Sequence, residues 1–259
     1  MILKSITNKK VIRPPRMIIL GVEKIGKSTF AAGAPNCVFI PVRGEEGIDD
    51  IDVDRFPVAE SFDELVAALE VLAEGDTKYK TVVIDSATTL DVLIAESCCQ
   101  EAGVALVSEI GGGFGAGTEA VRNKWGKLTT ILDYLRSECG IGSILIGHVK
   151  VEKFHDPERE SYDQYQFDVN KKVGNDLVRW ADFIGFANKS IGIRLESQGF
   201  SKKNVKAKVV DNDEEGHYLF TRKSPAHPGG GRGVYGRLEA EIELTWEAFD
   251  AAVKEARQG

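Results

Sequence analysis

Nothing in the sequence approaches the roughly 20 consecutive apolar residues that span a bilayer, and no membrane partner is expected. Residues 1–16 carry Lys4, Lys9, Lys10, Arg13 and Arg16 but lack the apolar core of a signal peptide, so export is not expected and the reading is cytoplasmic. Cysteine is scarce. Cys37, Cys98, Cys99 and Cys139 show neither CxxC spacing nor a nearby histidine cluster, and read as reduced, mostly buried thiols. Positive charge is not in excess either: the net charge of −7 argues against a protein that coats duplex DNA, while leaving room for a local basic strip. No internal repeat or long linker divides the 259 residues, whose 42% hydrophobic and 28% charged content is that of a globular chain. The expected organisation is an N-terminal arm over 1–16 and one α/β domain over 17–259.

What is present begins at Gly21-Val22-Glu23-Lys24-Ile25-Gly26-Lys27-Ser28, which fits G-x-x-x-x-G-K-[ST] at every fixed position. Residues 17–20 read as a short buried strand before it, and Thr29-Phe30-Ala31-Ala32 as the start of a helix after it. That order turns consecutive backbone N–H groups, and the positive end of a helix dipole, toward an anion in the loop. Residues 21–29 are therefore expected to hold the phosphates of a nucleoside triphosphate, with Lys27 reaching the β- and γ-phosphates and the Ser28 hydroxyl on Mg²⁺.

Three further positions point to chemistry. Thr81-Val82-Val83-Ile84-Asp85-Ser86 is an apolar run ending in an acid, and ligands of open parallel sheets bind at that strand edge. Asp85 is expected to share the Mg²⁺ shell with Ser28. Glu45-Glu46 follows the second apolar run, where a carboxylate can orient the water that attacks a γ-phosphate. Spacing alone leaves a solvated acidic turn equally open, since Asp49, Asp50, Asp52 and Asp54 follow. His148 ends the run Ile144-Leu145-Ile146-Gly147 and could sense the γ-phosphate, with a satisfied strand-end histidine as the plainer alternative.

Strand and helix patterns alternate through the first 150 residues. Strands are expected at 37–42, 81–85 and 143–148, helices at 61–74, 88–102 and 118–138, and a glycine-rich loop at 111–117. Such alternation implies a parallel sheet covered on both faces. Beyond it, 152–170 reads as a long loop and 171–180 as a short helix. Runs at 183–187, 191–195, 205–210, 217–221 and 239–244 read as antiparallel additions to the sheet edge, and 246–257 as a terminal helix.

The order of these parts resembles the RecA recombinase core, and more closely the compact phage-encoded RecA-like, AAA-type ATP-binding proteins, some of which are single-strand annealing recombinases. Phe39-Ile40-Pro41, Glu45-Glu46-Gly47-Ile48-Asp49, Asp52-Val53-Asp54, His148-Val149-Lys150, Tyr162-Asp163-Gln164-Tyr165, Trp180-Ala181-Asp182 and Thr221 with Pro225-Ala226 carry the likeness. It implies an α/β RecA-like P-loop NTPase core, mostly parallel, flanked by helices, with antiparallel strands added toward the C-terminus. It also implies ATP and Mg²⁺ as cofactors, Glu45 as the catalytic glutamate beside Lys27, and His148 as the γ-phosphate sensor. Residues 109–117 and 152–170 match the two DNA-binding loops. Two departures stand out. Val42-Arg43-Gly44 lengthens the turn before Glu45, and Gly229-Gly230-Gly231-Arg232 keeps only the arginine of a Lys-x-Arg element.

Single-stranded DNA is thus the expected partner, with Tyr162, Tyr165 and Phe167 as stacking platforms and Lys171 and Lys172 beside them. From 152 to 172, the second loop and the two lysines after it, there are four basic and six acidic residues and no basic groove; 201–237, with eight basic against four acidic, is richer. A solvated hairpin explains that strip equally well. Self-assembly into a ring or filament would let Arg222, Lys223 or Arg232 of one copy reach the ATP of the next. The alternative is a nucleotide-dependent switch or loader that engages a protein such as a single-strand binding protein or replicative helicase. A small-molecule kinase is disfavoured by the lack of an arginine-rich lid.

Overall fold

The computed structural model describes residues 11–45, 47–75, 77–156, 160–189, 192–197, 205–210 and 216–258. Residues 1–10 of the expected arm, Glu46, Arg159, and residues 201–204 and 211–215 of the basic strip lie outside the described residues.

The chain opens with strand β1 (Arg16–Gly21) and the six-residue helix α1 (Lys27–Ala32), followed by β2 (Cys37–Pro41) and the short β3 (Asp54–Arg55). Helix α2 (Phe62–Glu74) starts where the Ser61 side chain accepts a hydrogen bond from the Glu64 amide, an N-cap that satisfies one orphan donor. Strand β4 (Thr81–Asp85) leads into α3 (Ala87–Ala102), capped by Ser86 and stopped at Gly103, whose φ of 64° suits the left-handed end of a helix. The expected glycine loop is present over 111–115, with positive φ at Gly111, Gly112, Gly113 and Gly115; a 3-10 turn precedes and overlaps it, α4 (Ala116–Tyr134) starts two residues earlier than expected, and β5 (Gly142–Gly147) follows.

The sheet runs β3-β2-β4-β5-β1 with all neighbours parallel, and β8 (Phe183–Lys189) lies parallel on the far side of β1. Alternate residues face opposite sides of such a sheet. Ile18, Leu20, Ile40, Ile84 and Leu145 pack with the buried Leu65, Leu90 and Leu128 of α2, α3 and α4. Met17, Ile19, Phe39, Val83 and Ile146 pack on the other face with Phe30 of α1 and Phe249 and Val253 of the last helix. Burial on both faces is why these strands read as unbroken apolar runs.

The structure corrects the expectation for 152–170. It is not a loop but mostly an antiparallel hairpin, β6 (Val149–Phe154) with β7 (Tyr162–Phe167), followed by α5 (Lys171–Trp180). Its cross-strand pairs include Lys153 opposite Asp163, and Phe154 opposite Tyr162 with ring centroids 5.4 Å apart, both stabilising kinds. The next run, β8, was expected to be antiparallel. It is parallel because α5 carries the chain back across the sheet before β8 begins. Strands β9 (Gly192–Ser197) and β10 (Val205–Val210) form their own two-stranded ribbon instead of extending the sheet. Antiparallel additions are made by β11 (His217–Phe220) and the two-residue β12 (Gly230–Gly231), both on β8, and by β13 (Glu241–Glu243) on β11, before helix α6 (Trp246–Gln258).

One ion cluster ties the start of β1 to β8. Arg16 donates from Nη2 to Asp182 Oδ1 at 2.9 Å and from Nη1 to Asp133 Oδ1 at 3.0 Å, and Arg136 Nη2 donates to Asp182 Oδ2 at 2.9 Å. Burial works against the Asp182 carboxylate, but hydrogen bonds from Arg16 outweigh it and hold the group below the usual carboxylate range. Asp182→Asn leaves two guanidinium groups under-compensated and should cost on the order of 3 kcal/mol by chemical denaturation. A lowered folded-state pKa stabilises above the unfolded value, and that stability is lost as pH falls through the folded one. The wild type should therefore lose more stability in acid than the variant does.

Candidate active site

Four parallel neighbours, β2, β4, β5 and β1, bring their C-terminal ends to one edge, and each delivers a predicted residue there. The loop after β1 needs glycine at both of its fixed positions. A Cβ on Gly21 would sit 2.3 Å from the Ala187 carbonyl, and Gly26 has φ 103° as it turns into α1. With Asp85 from β4, Glu45 from the turn after β2, and His148 following β5, the loop lines a cleft of about 620 Å³. Glu23, Lys24, Ile25, Ser28 and Thr29 line the cleft, although Ile25 is mostly buried in the core, and Val22 packs against that core.

Lys27 is buried, and its Nζ donates to the carbonyls of Gly21 at 3.1 Å and Val22 at 2.7 Å. Burial lowers its pKa against the pull of Asp85, Glu45 and Glu23. An ammonium held this way has only main-chain carbonyls to exchange for a phosphate. Ser28 Oγ donates to Asp85 Oδ2 at 2.6 Å. Burial pushes the Asp85 carboxyl above its ordinary range, despite the Ser28 bond. One hydroxyl and one carboxylate are hard oxygen donors that fit Mg²⁺, an ion that keeps waters and takes phosphate oxygens for its remaining positions.

Glu45 behaves differently from Asp85. Burial opposes its charge, but hydrogen bonds from His148 and Ser86 prevail, so its carboxyl lies below the ordinary range. Ser86 Oγ donates to Glu45 Oε1 at 2.6 Å, and His148 Nε2 lies 3.1 Å from the same oxygen. The other ring nitrogen, Nδ1, is buried without a partner among the described residues. The His148 amide donates to Thr88 Oγ1 at 3.0 Å. An ionised, doubly anchored Glu45 is suited to orienting a water more than to holding its proton, and orientation is most of what phosphoryl transfer asks of a protein. Ser86 and Thr88 had no role in the sequence reading. The signal for Ser86 was available, a serine cap placed directly after a strand-ending acid.

The remaining expected residues do not gather here. Tyr165 lies on Phe186 with centroids 5.2 Å apart, and Phe167 crosses Gly147 so closely that a Cβ there would be 2.5 Å from the ring. Tyr162 pairs with Phe154, while Lys171 and Lys172 are exposed in the first turn of α5. Arg222 donates to the Leu238 carbonyl at 2.9 Å, Lys223 is exposed, and Arg232 bonds the Arg179 carbonyl. Arg222, Lys223 and Arg232 do not line the cleft of their own chain.

No curated protein sequence matches the chain. A crystal structure of the RadB recombinase is similar at 13% identity over 81% of this chain and 89% of that one, with a TM-score of 0.40, a likeness too slight to carry an argument. The model of the AAA domain family, in contrast, matches residues 13–233, a span that holds the phosphate loop, Glu45, Asp85 and His148. The fold is that of an α/β P-loop NTPase, and the chain belongs to the AAA domain family.

Proposed function

We propose that the protein is a Mg²⁺-dependent ATPase that couples hydrolysis to single-stranded DNA in recombination, annealing or replication. The observation that carries the proposal is the chain of contacts Ser86–Glu45–His148, two of whose members, Glu45 and His148, line the phosphate cleft. Lys27 and the loop amides hold the phosphates; Ser28 and Asp85 hold Mg²⁺, which supplies charge for the phosphate oxygens. Glu45 accepts a hydrogen bond from the attacking water and aligns it with the γ-phosphate. Among the described residues of one copy, Lys24, Lys27 and His148 are the basic residues lining the cleft, so a cation from a neighbouring copy, Arg222, Lys223 or Arg232, completes the site in a head-to-tail assembly.

Coupling is supported by where His148 sits. Strand β6 starts at the next residue, and the Asp168 amide just past β7 donates to the His148 carbonyl at 3.0 Å, so both ends of the hairpin hang on one residue. A shift at the γ-phosphate would move the hairpin as a unit. Single-stranded DNA is expected to bind more tightly with a non-hydrolysable ATP analogue than with ADP, and His148→Ala to erase that difference while sparing nucleotide affinity. Fluorescence anisotropy of a labelled oligonucleotide in both nucleotide states measures it. Equal affinity in the wild type refutes the coupling. The second reading, a switch that engages a protein partner, is favoured by the inward packing of Tyr165 and Phe167, which leaves fewer rings for bases. Stimulation of turnover by a protein partner, and not by DNA, would select it.

A further inference from the structure

A second cleft, of about 590 Å³, opens at the other edge of the sheet, where β1 and β8 begin. A strand of six residues separates it from the phosphate loop, a distance of about 20 Å. Arg13, Arg136, Arg232, Arg237 and Arg257 line it, and Asp182 is the one acid among the lining residues. That acid is already committed to Arg16 and Arg136. Among the described residues Arg13, Arg232, Arg237 and Arg257 have no carboxylate partner, in a chain whose net charge is −7. Burial pushes the Arg136 guanidinium down; Asp182 and Asp133 oppose that effect, while the charges of Arg16 and Arg13 add to it.

The local sequence builds this rim on purposeful geometry. Gly231 lies where a Cβ would be 2.4 Å from that of Tyr235, so the 3-10 turn Gly233–Arg237 folds tightly back on β12. Tyr235 pins the turn, its ring parallel to Phe249 of α6 at 6.3 Å and tilted on Phe183 of β8 at 5.7 Å. The turn thus holds Arg232 and Arg237 at the mouth, and the last turn of α6 holds Arg257. Clustered guanidinium groups without acids cost folding free energy through mutual repulsion. Their planar forks match phosphate oxygens two at a time.

We propose that this cleft is a second anion site, separate from the ATP cleft, that binds adjacent phosphate groups. The ligand is a polyphosphate-bearing small molecule or the phosphodiester backbone of a single strand. Apart from Arg232, which the proposed function also offers to a neighbouring copy's ATP, the proposal stands independent of the ATPase reading, and it is tested in the Lys27→Ala chain, where the phosphate loop is disabled. Binding of inorganic tripolyphosphate is followed by calorimetry, and binding of a labelled oligothymidylate by anisotropy. At least one probe should bind saturably. Arg237→Ala/Arg257→Ala, added to that chain, should weaken it at least about tenfold, and for the oligonucleotide the log affinity against log salt slope should fall by about 1.4. Tighter binding of tripolyphosphate identifies a small ligand; tighter, length-dependent binding of the oligonucleotide identifies a strand. Should the alanine pair fail to fold, Arg237→Gln/Arg257→Gln keeps the stems and carries the same expectation. Absence of binding by both probes, or unchanged affinity in a folded double variant, overturns the proposal.

Discussion

Lys27→Ala should reduce ATP hydrolysis by at least about 100- to 1000-fold, the scale of losing one preorganised charge at a phosphoryl-transfer site. The fold should not suffer with it. Lys27 is buried, its ammonium bonded among the described residues to the Gly21 and Val22 carbonyls, and burial holds its pKa below that of a free lysine. A lysine that is harder to protonate when folded lowers stability at neutral pH, so its removal offsets the two hydrogen bonds lost. The melting temperature is expected to stay level or rise while turnover disappears. Thermal unfolding followed alongside phosphate release separates the two effects. A folded Lys27→Ala chain with wild-type turnover would remove the ATPase reading altogether.

Glu45→Gln should leave ATP binding nearly intact and slow turnover at least about 100-fold, the usual scale for losing a general base. The amide keeps the shape, and its oxygen can still accept from Ser86 or His148, but it no longer has a charge with which to align water. The loss should therefore fall on kcat with KM little changed. Because Glu45 lies below the ordinary carboxylate range, it stays ionised through weakly acidic pH, and its protonation should add no acid limb to kcat near neutrality. Glu46→Gln is the control for register. A larger effect from Glu46 than from Glu45 would move the catalytic assignment by one residue.

The legibility of the molecule follows from what each segment buries. Strands β1, β4 and β5 are covered on both faces, so their apolar runs could be read directly, and the phosphate loop and Asp85 came with them. The hairpin β6–β7 was hidden because its stabilising pairs are polar or aromatic, such as Lys153 with Asp163, and a charged period-2 pattern resembles a loop. The direction of β8 was not legible locally. It depends on the crossover through α5, a tertiary fact. Glu45 could be proposed from spacing but not distinguished from an acidic turn. Only the meeting of β2 and β4 brings Ser86 within 2.6 Å of it and sets the two carboxyls, Asp85 and Glu45, to opposite sides of their ordinary range. The arginine cleft was out of reach for the same reason. Its residues come from separate segments, before β1, after α4, around the turn past β12 and on α6, and no sequence window contains them together.

If the edge holding Lys27, Glu45, Asp85 and His148 hydrolyses ATP, phosphate must be released there and Glu45 must govern its rate. The most direct measurement is phosphate release from ATP by the purified chain, with Mg²⁺ and with a chelator, in the presence and absence of single-stranded DNA, beside Glu45→Gln. Release by the wild type should require Mg²⁺ and be faster with DNA, and it should be at least about 100-fold slower in Glu45→Gln although that variant still binds ATP. Equal release by wild type and Glu45→Gln, or no release by the wild type under any of these conditions, would contradict that prediction.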